Sequence, residues 1–224
     1  MEKMEKIVAQ RLLDIKAIQL NVEQPYTWAS GWRSPIYCDT RKVLSYPDIR
    51  KLVYEGLQHL IEQNFEDISY IAGVATGAIA HGALVAEAMH KPFVYVRAAP
   101  KGHGLSNSIE GVLSQGARVV VVEDLISTGG SSLQAVETLR KAGAEVLGLT
   151  AIFSYNFNSA RRNFENANCV LYTLTNYITL IEEALQCGYI KPVEMETLEQ
   201  WRETPDKWNG KQEAVAGGSK QTRL

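Results

Sequence analysis

Residues 119–131 read Val-Val-Val-Val-Glu-Asp-Leu-Ile-Ser-Thr-Gly-Gly-Ser, an unbroken apolar run that ends in two adjacent acids and a loop of glycines and hydroxyls. Valines with no polar alternation require a strand covered on both faces, which is the situation of a parallel sheet between two layers of helices. The run therefore predicts an α/β protein with a parallel central sheet and flanking helices. Glu123 and Asp124 fall at the carboxyl end of the strand, where open α/β sheets bind ligands. The loop after them offers hydroxyls and backbone N–H groups just before a helix predicted from Ser131. Carboxylates accept hydrogen bonds from vicinal hydroxyls, while glycines let the backbone wrap an anion. A sugar phosphate satisfies both halves.

Other phosphate motifs fit poorly. A P-loop needs lysine after its last glycine, and Gly130 is followed by Ser131. A dinucleotide fingerprint places its acid after the glycines, and here the acids come first. An ordinary strand-turn-helix connection, with Ser131 as a cap only, would leave two acids at a buried strand end without partners.

The rest of the chain extends the α/β pattern. Ile68 to Val74 reads as strand, Ala78 to Met89 as helix and Phe93 to Arg97 as strand. After Val119 to Glu123 come a helix to Lys141, a strand from Val146 to Phe153, a strand from Cys169 to Leu174, and a helix from Tyr177 to Gln186. Strands separated by helices imply right-handed parallel crossovers. Gly143 follows the cationic Arg140 and Lys141 and marks a helix stop. Ahead of the core, Met4, Ile7, Val8, Leu12, Ile15 and Ile18 recur at helical spacing and predict a helix to Leu20; a second helix is predicted from Pro47 to Asn64. Tyr26 to Tyr37 predicts a strand-turn-strand unit outside the sheet. The chain thus reads as one domain over 1–209, with a small N-terminal hood at about 20–45, a core at about 65–175 and a disordered tail at 210–224.

Composition excludes several classes. A formal charge of −2 gives no footprint for nucleic acid, and no apolar run is long enough to suggest a membrane span. The first residues lack the apolar core of a secretory signal, and Cys38, Cys169 and Cys187 are odd in number and far apart, so a reducing, cytoplasmic setting is expected. Between Arg97 and Ala117 lies a long unpatterned segment in which Lys101 and His103 alternate with Gly102 and Gly104. Cations on such a loop can close over an anion, exclude water and release product.

Residues 119–131 resemble the 5-phosphoribosyl 1-diphosphate (PRPP) signature of the type I phosphoribosyltransferases. The resemblance implies that Glu123 and Asp124 hold the ribose hydroxyls, and that Leu125, Ile126, Ser127, Thr128, Gly129, Gly130 and Ser131 complete the grip on the 5-phosphate. Arg97, Lys101 and His103, followed by Asn107, Ile109, Glu110 and Gly111, resemble the catalytic loop of the orotate-specific members, which adenine and hypoxanthine enzymes lack. Thr27 to Arg41, with Ser30-Gly31 and Ser34-Pro35, resembles the hood that covers the pyrimidine, and Gly73 to Ile79 resembles the diphosphate loop. The resemblance covers roughly residues 5–205.

It implies transfer of phosphoribosyl from PRPP to orotate, with Lys101, His103 and Asp124 catalytic and Arg97 on the diphosphate. Mg²⁺ would arrive on PRPP rather than on protein ligands, and a homodimer would share its sites. Many members carry lysines where this chain has Gly77, Ala29 and Ala98. Where many have an arginine on the orotate carboxylate, it has Tyr155, so Ser127, Ser30, Gly31 and Tyr155 are the expected base contacts. A purine or uracil transferase, or a PRPP-sensing regulator of the same fold, are the competing readings.

Overall fold

The computed structural model describes residues 2–28, 30–97 and 108–209. A six-stranded sheet runs in the order β10-β9-β8-β5-β6-β7. Its strands are β5 (Tyr70–Val74), β6 (Phe93–Val96), β7 (Ile109–Glu110), β8 (Arg118–Ile126), β9 (Glu145–Ser154) and β10 (Leu171–Asn176). All pairings are parallel except that of β7, which runs antiparallel to β6. The valine run lies in the middle of this sheet: Val119 to Val122 are fully buried. Each such side chain contributes about 1.5–3 kcal/mol by leaving water.

Helix α3 (Ile79–Ala88) joins β5 to β6, α4 (Gly130–Lys141) joins β8 to β9, and α5 (Asn158–Asn166) joins β9 to β10. The chain leaves the β5/β8 pair in opposite directions along the sheet, so right-handed crossovers put α3 on one face and α4 and α5 on the other. Helix α2 (Pro47–Asn64) packs on α3, β9 and β10, while α4 packs on α5. The strand order therefore reverses between β5 and β8, and a crevice opens at their carboxyl ends. Local chemistry agrees with these limits. Pro47 occupies the first turn of α2. Gly143, at φ +87°, ends α4, with Ala144 N–H donating to Leu139 O at 3.1 Å. Asn176 caps α6 (Tyr177–Gln186), accepting from Ile178 N–H at 2.9 Å and Thr179 N–H at 3.3 Å.

Two expectations about element limits need correction. Helix α1 (Glu2–Asp14) ends before Ile18, and Ile18–Leu20 forms strand β1 instead. Lys16 takes a left-handed φ of 54°, which breaks the helix, and β1 pairs antiparallel with β4 (Ile36–Cys38). Strand β8 also runs three residues past Glu123, because Leu125 and Ile126 still pair with Phe153 and Ser154 of β9.

The predicted hood is a pair of short ribbons, β1 with β4 and β2 (Tyr26–Thr27) with β3 (Arg33–Ser34), outside the main sheet. It rests on a cluster of rings. Trp201, on the C-terminal helix α7 (Met195–Glu203), is fully buried and lies 5.7 Å from Trp28, 5.8 Å from Tyr155, 5.4 Å from Phe157 and 5.3 Å from Tyr177 between ring centroids. Its indole N–H donates to the Arg33 carbonyl at 3.2 Å, and that of Trp28 donates to the Ile36 carbonyl at 3.0 Å. The last helix thus props the first hairpin.

Candidate active site

At the β5/β8 switch point lies a cleft of about 320 Å³ lined by three segments: Cys38 to Arg41 after β4, Val74 to Gly77 after β5, and Glu123 to Leu125 with Ser131. The acids at its base are not equivalent. Glu123 is 4% exposed and accepts from the Ser132 hydroxyl at 2.8 Å and the Asp124 N–H at 3.0 Å. Burial, and then the neighbouring Asp124 carboxyl, push the Glu123 carboxyl well above its ordinary range. Asp124 is more exposed and accepts from the Thr40 hydroxyl at 2.9 Å. One acid is therefore fixed in the floor while the other meets the cleft.

Glycine is required at two places. A Cβ at Gly77 would fall on the Asp124 carboxylate, so the loop after β5 can approach the acid only as bare backbone. Gly129 holds φ +81° at the start of α4, and a Cβ there would come within 2.6 Å of the Phe164 ring. Asn163 of α5 steadies the same loop, its amide donating to the Thr128 carbonyl at 2.9 Å. First-turn amides of a helix have no intrahelical acceptors, so Gly130 to Ser132 present N–H groups to an anion.

The cleft is lined by three carboxyl groups, Asp39, Glu123 and Asp124, against one guanidinium, Arg41, among the described residues. Arg41 Nε donates to Asp39 at 2.6 Å. A diphosphate entering here needs additional positive charge. Cys38 also faces the cleft; burial and the nearby Asp124 and Asp39 push its thiol up, away from thiolate. His81, on α3, is fully buried, and burial pushes its imidazole toward the neutral form.

The structure brings Glu123, Asp124, Leu125 and Ser131 together at the cleft and continues them into half-buried Ser127 and Thr128 and the glycine turn; Ile126 is fully buried in the strand. Ser30 and Gly31 occupy an exposed turn, with the Gly31 N–H donating to the Trp28 carbonyl at 2.8 Å, so that amide is used within the hood. Arg97 sits at the end of β6, one-third exposed, and pairs with Glu110 of β7 at 3.2 Å. Lys101 and His103 lie outside the described residues, as does the tail 210–224. Tyr155 departs from its expected place beside a base. It is 2% exposed, stacked on Phe157 at 5.3 Å and tilted against Trp28 at 5.1 Å, which makes it a packing element beneath the hood. Thr40 and Ser132 were not evident from sequence, since an isolated hydroxyl residue carries no periodic signal and each acts through an acid distant in the chain.

The buried acid gives a pH signature. Glu123 in the folded protein keeps its proton above the ordinary 4.5 of the unfolded chain, so the folded state binds more protons and stability falls as pH rises through that window. Glu123→Gln, which carries no charge, should therefore gain on the wild type as pH rises above the ordinary glutamate range, by up to about 1.4 kcal/mol per pH unit. Thermal melts of both proteins over that rise in pH check it, and a constant difference in melting temperature would contradict it.

Comparison with known proteins agrees with this geometry. Residues 42–188 match the phosphoribosyl transferase domain family. Orotate phosphoribosyltransferase of Porphyromonas gingivalis is 53% identical over 93% of this chain and 99% of its own length. The enzyme of the same name from Bacteroides thetaiotaomicron is 54% identical over 93% and 99%. The crystal structure of orotate phosphoribosyltransferase from Aeropyrum pernix superposes with a TM-score of 0.71 at 28% identity, covering 82% of this chain and 99% of that one. The chain belongs to the orotate phosphoribosyltransferase family, within the phosphoribosyl transferase domain fold.

Proposed function

We propose that this protein transfers the 5-phosphoribosyl group of PRPP to orotate, giving orotidine 5′-phosphate and diphosphate, a step of pyrimidine nucleotide synthesis. The observation that carries the reading is the join of an acid pair to a glycine-turned helix start at the end of β8, in a cleft that the segment after the hood, Cys38 to Arg41, also lines. Asp124 and Glu123 take the ribose hydroxyls, and Ser127 to Ser131 with the first amides of α4 take the 5-phosphate. The backbone of Ala75 to Gly77 receives the diphosphate, and the hood with Ser30 and Ser127 covers the base.

The C1–O bond to diphosphate breaks as the orotate ring nitrogen, its proton passing to water, bonds to C1. Charge builds on the leaving group and on a sugar with oxocarbenium character, so positioning and charge neutralisation suffice without a covalent nucleophile. Mg²⁺ would arrive held by PRPP itself, with the carboxylates of Asp39 and Asp124 nearby in the cleft as oxygen groups of the kind this ion accepts. It supplies positive charge to the diphosphate. Lys101, His103 and Arg97 supply the rest, and His103, on the same loop as Lys101, is placed to donate a proton to the departing oxygen.

The Lys101 and His103 segment completes the site of a second copy in a cytoplasmic homodimer. Mixing a Lys101→Ala protein with an Asp124→Asn protein should then restore activity that neither has alone, because some mixed dimers hold one intact site; no recovery would contradict shared sites. The function itself is tested by PRPP- and Mg²⁺-dependent loss of orotate absorbance with release of diphosphate. Turnover supports transfer, and tight PRPP binding without turnover would favour the regulator.

A further inference from the structure

Thr40 stands where the hood meets the sugar site, and it makes an unusual contact for a residue of that segment. It follows β4 by two positions and begins the helical turn Thr40–Ser45. It is 1% exposed, yet its hydroxyl points to the cleft acid, donating to Asp124 Oδ2 at 2.9 Å across 84 residues of sequence. The backbone of Gly77 lies close against the same carboxylate, where even a methyl group would not fit. Glu123, by contrast, takes its donors from its own strand and from α4, through the Asp124 N–H and the Ser132 hydroxyl. Asp124 is thus the acid whose side-chain hydrogen bond comes from the hood.

We infer that Thr40 is a positioning residue that fixes the Asp124 carboxylate for the sugar hydroxyls and ties the seating of the hood to the sugar grip. The inference rests on the proposed sugar site. A carboxylate held by a fixed donor and crowded by bare backbone has little room to turn, so its remaining acceptor lone pairs are aimed before the substrate arrives. A side chain that must be ordered on binding gives up affinity that a preset one keeps. The link has a structural consequence as well. Thr40 continues from β4, whose Ile36 carbonyl receives the Trp28 indole N–H, so a shift of the hairpin is transmitted to the acid through one short segment.

The test uses Thr40→Val, which keeps the shape and deletes the hydroxyl, and Thr40→Ser, which keeps the hydroxyl. Ribose 5-phosphate binding is followed by titration calorimetry and transfer by steady-state kinetics, with melting temperatures for each protein. A hydrogen bond to a charged group is worth about tenfold or more in an equilibrium. Thr40→Val should accordingly raise the KM for PRPP and the Kd for ribose 5-phosphate about tenfold or more, with the KM for orotate changed far less, and Thr40→Ser should restore both. In an Asp124→Asn background, Thr40→Val should have little further effect on ribose 5-phosphate binding, as a direct pair requires. Wild-type values in Thr40→Val, or an equal defect in Thr40→Ser, would overturn the role of the hydroxyl. Equal rises in both KM values would assign Thr40 to general support of the hood and also overturn it. A wild-type protein that binds ribose 5-phosphate but never consumes orotate would sink the proposed function while leaving the calorimetric test of Thr40 intact.

Discussion

Gly77→Ala is expected to lower kcat/KM about 100-fold or more, because a misplacement of about 1 Å at a reacting site has that consequence. A single added methyl would land on the Asp124 carboxylate, and the acid would have to leave both its Thr40 donor and its aim on the sugar. Folding should suffer little. Gly77 is not among the residues with positive φ, so alanine can take its backbone conformation, and the loop is at the cleft rather than in the core. Steady-state kinetics against a thermal melt separate the two effects. Near-normal activity would mean that Asp124 has another productive position. The same geometry accounts for a departure visible in the sequence: many family members carry lysine in this loop, but here the loop passes so close to the acid that no side chain has room.

Trp201→Ala should be the most destabilising single substitution of the set. The indole is fully buried among Trp28, Tyr155, Phe157 and Tyr177, and truncating a buried tryptophan costs about 3–5 kcal/mol. That is a large share of the roughly 5–15 kcal/mol that holds a domain folded. The change also removes the donor to the Arg33 carbonyl of the hood. At temperatures where the variant stays folded, the KM for orotate should rise most, with a smaller rise in that for PRPP, because the loosened hairpin reaches Asp124 only through Thr40. Urea unfolding and a two-substrate kinetic analysis check both parts. A loss below about 1 kcal/mol would show that the ring cluster repacks without the indole.

The elements that were legible from sequence are those whose pattern is local. The valines of β8, the stop at Gly143 and the α6 segment after Asn176 each announce themselves within a few residues. Strand β1 did not, because Ile15 and Ile18 satisfy helical spacing and the decision is made by pairing with Ile36 to Cys38, some twenty residues on. Tyr155 was read against a position that contacts the base in relatives, whereas its surroundings are set by Trp28 and Trp201 from the two ends of the chain. Thr40 and Ser132 were silent for the same reason: their roles arise from long-range contacts with Asp124 and Glu123. The reading of a sugar-phosphate grip came from residues 119–131 alone; the parts that hold it in place could not be read there.

The most direct measurement supplies the purified protein with PRPP, Mg²⁺ and an equimolar mixture of orotate, uracil, xanthine, hypoxanthine and adenine, and follows each base by chromatography. Orotate should be consumed first, with one diphosphate released per orotidine 5′-phosphate formed, and Asp124→Asn should fall far behind the wild type. Preferential consumption of a purine or of uracil, or an Asp124→Asn protein as fast as the wild type, would contradict the account.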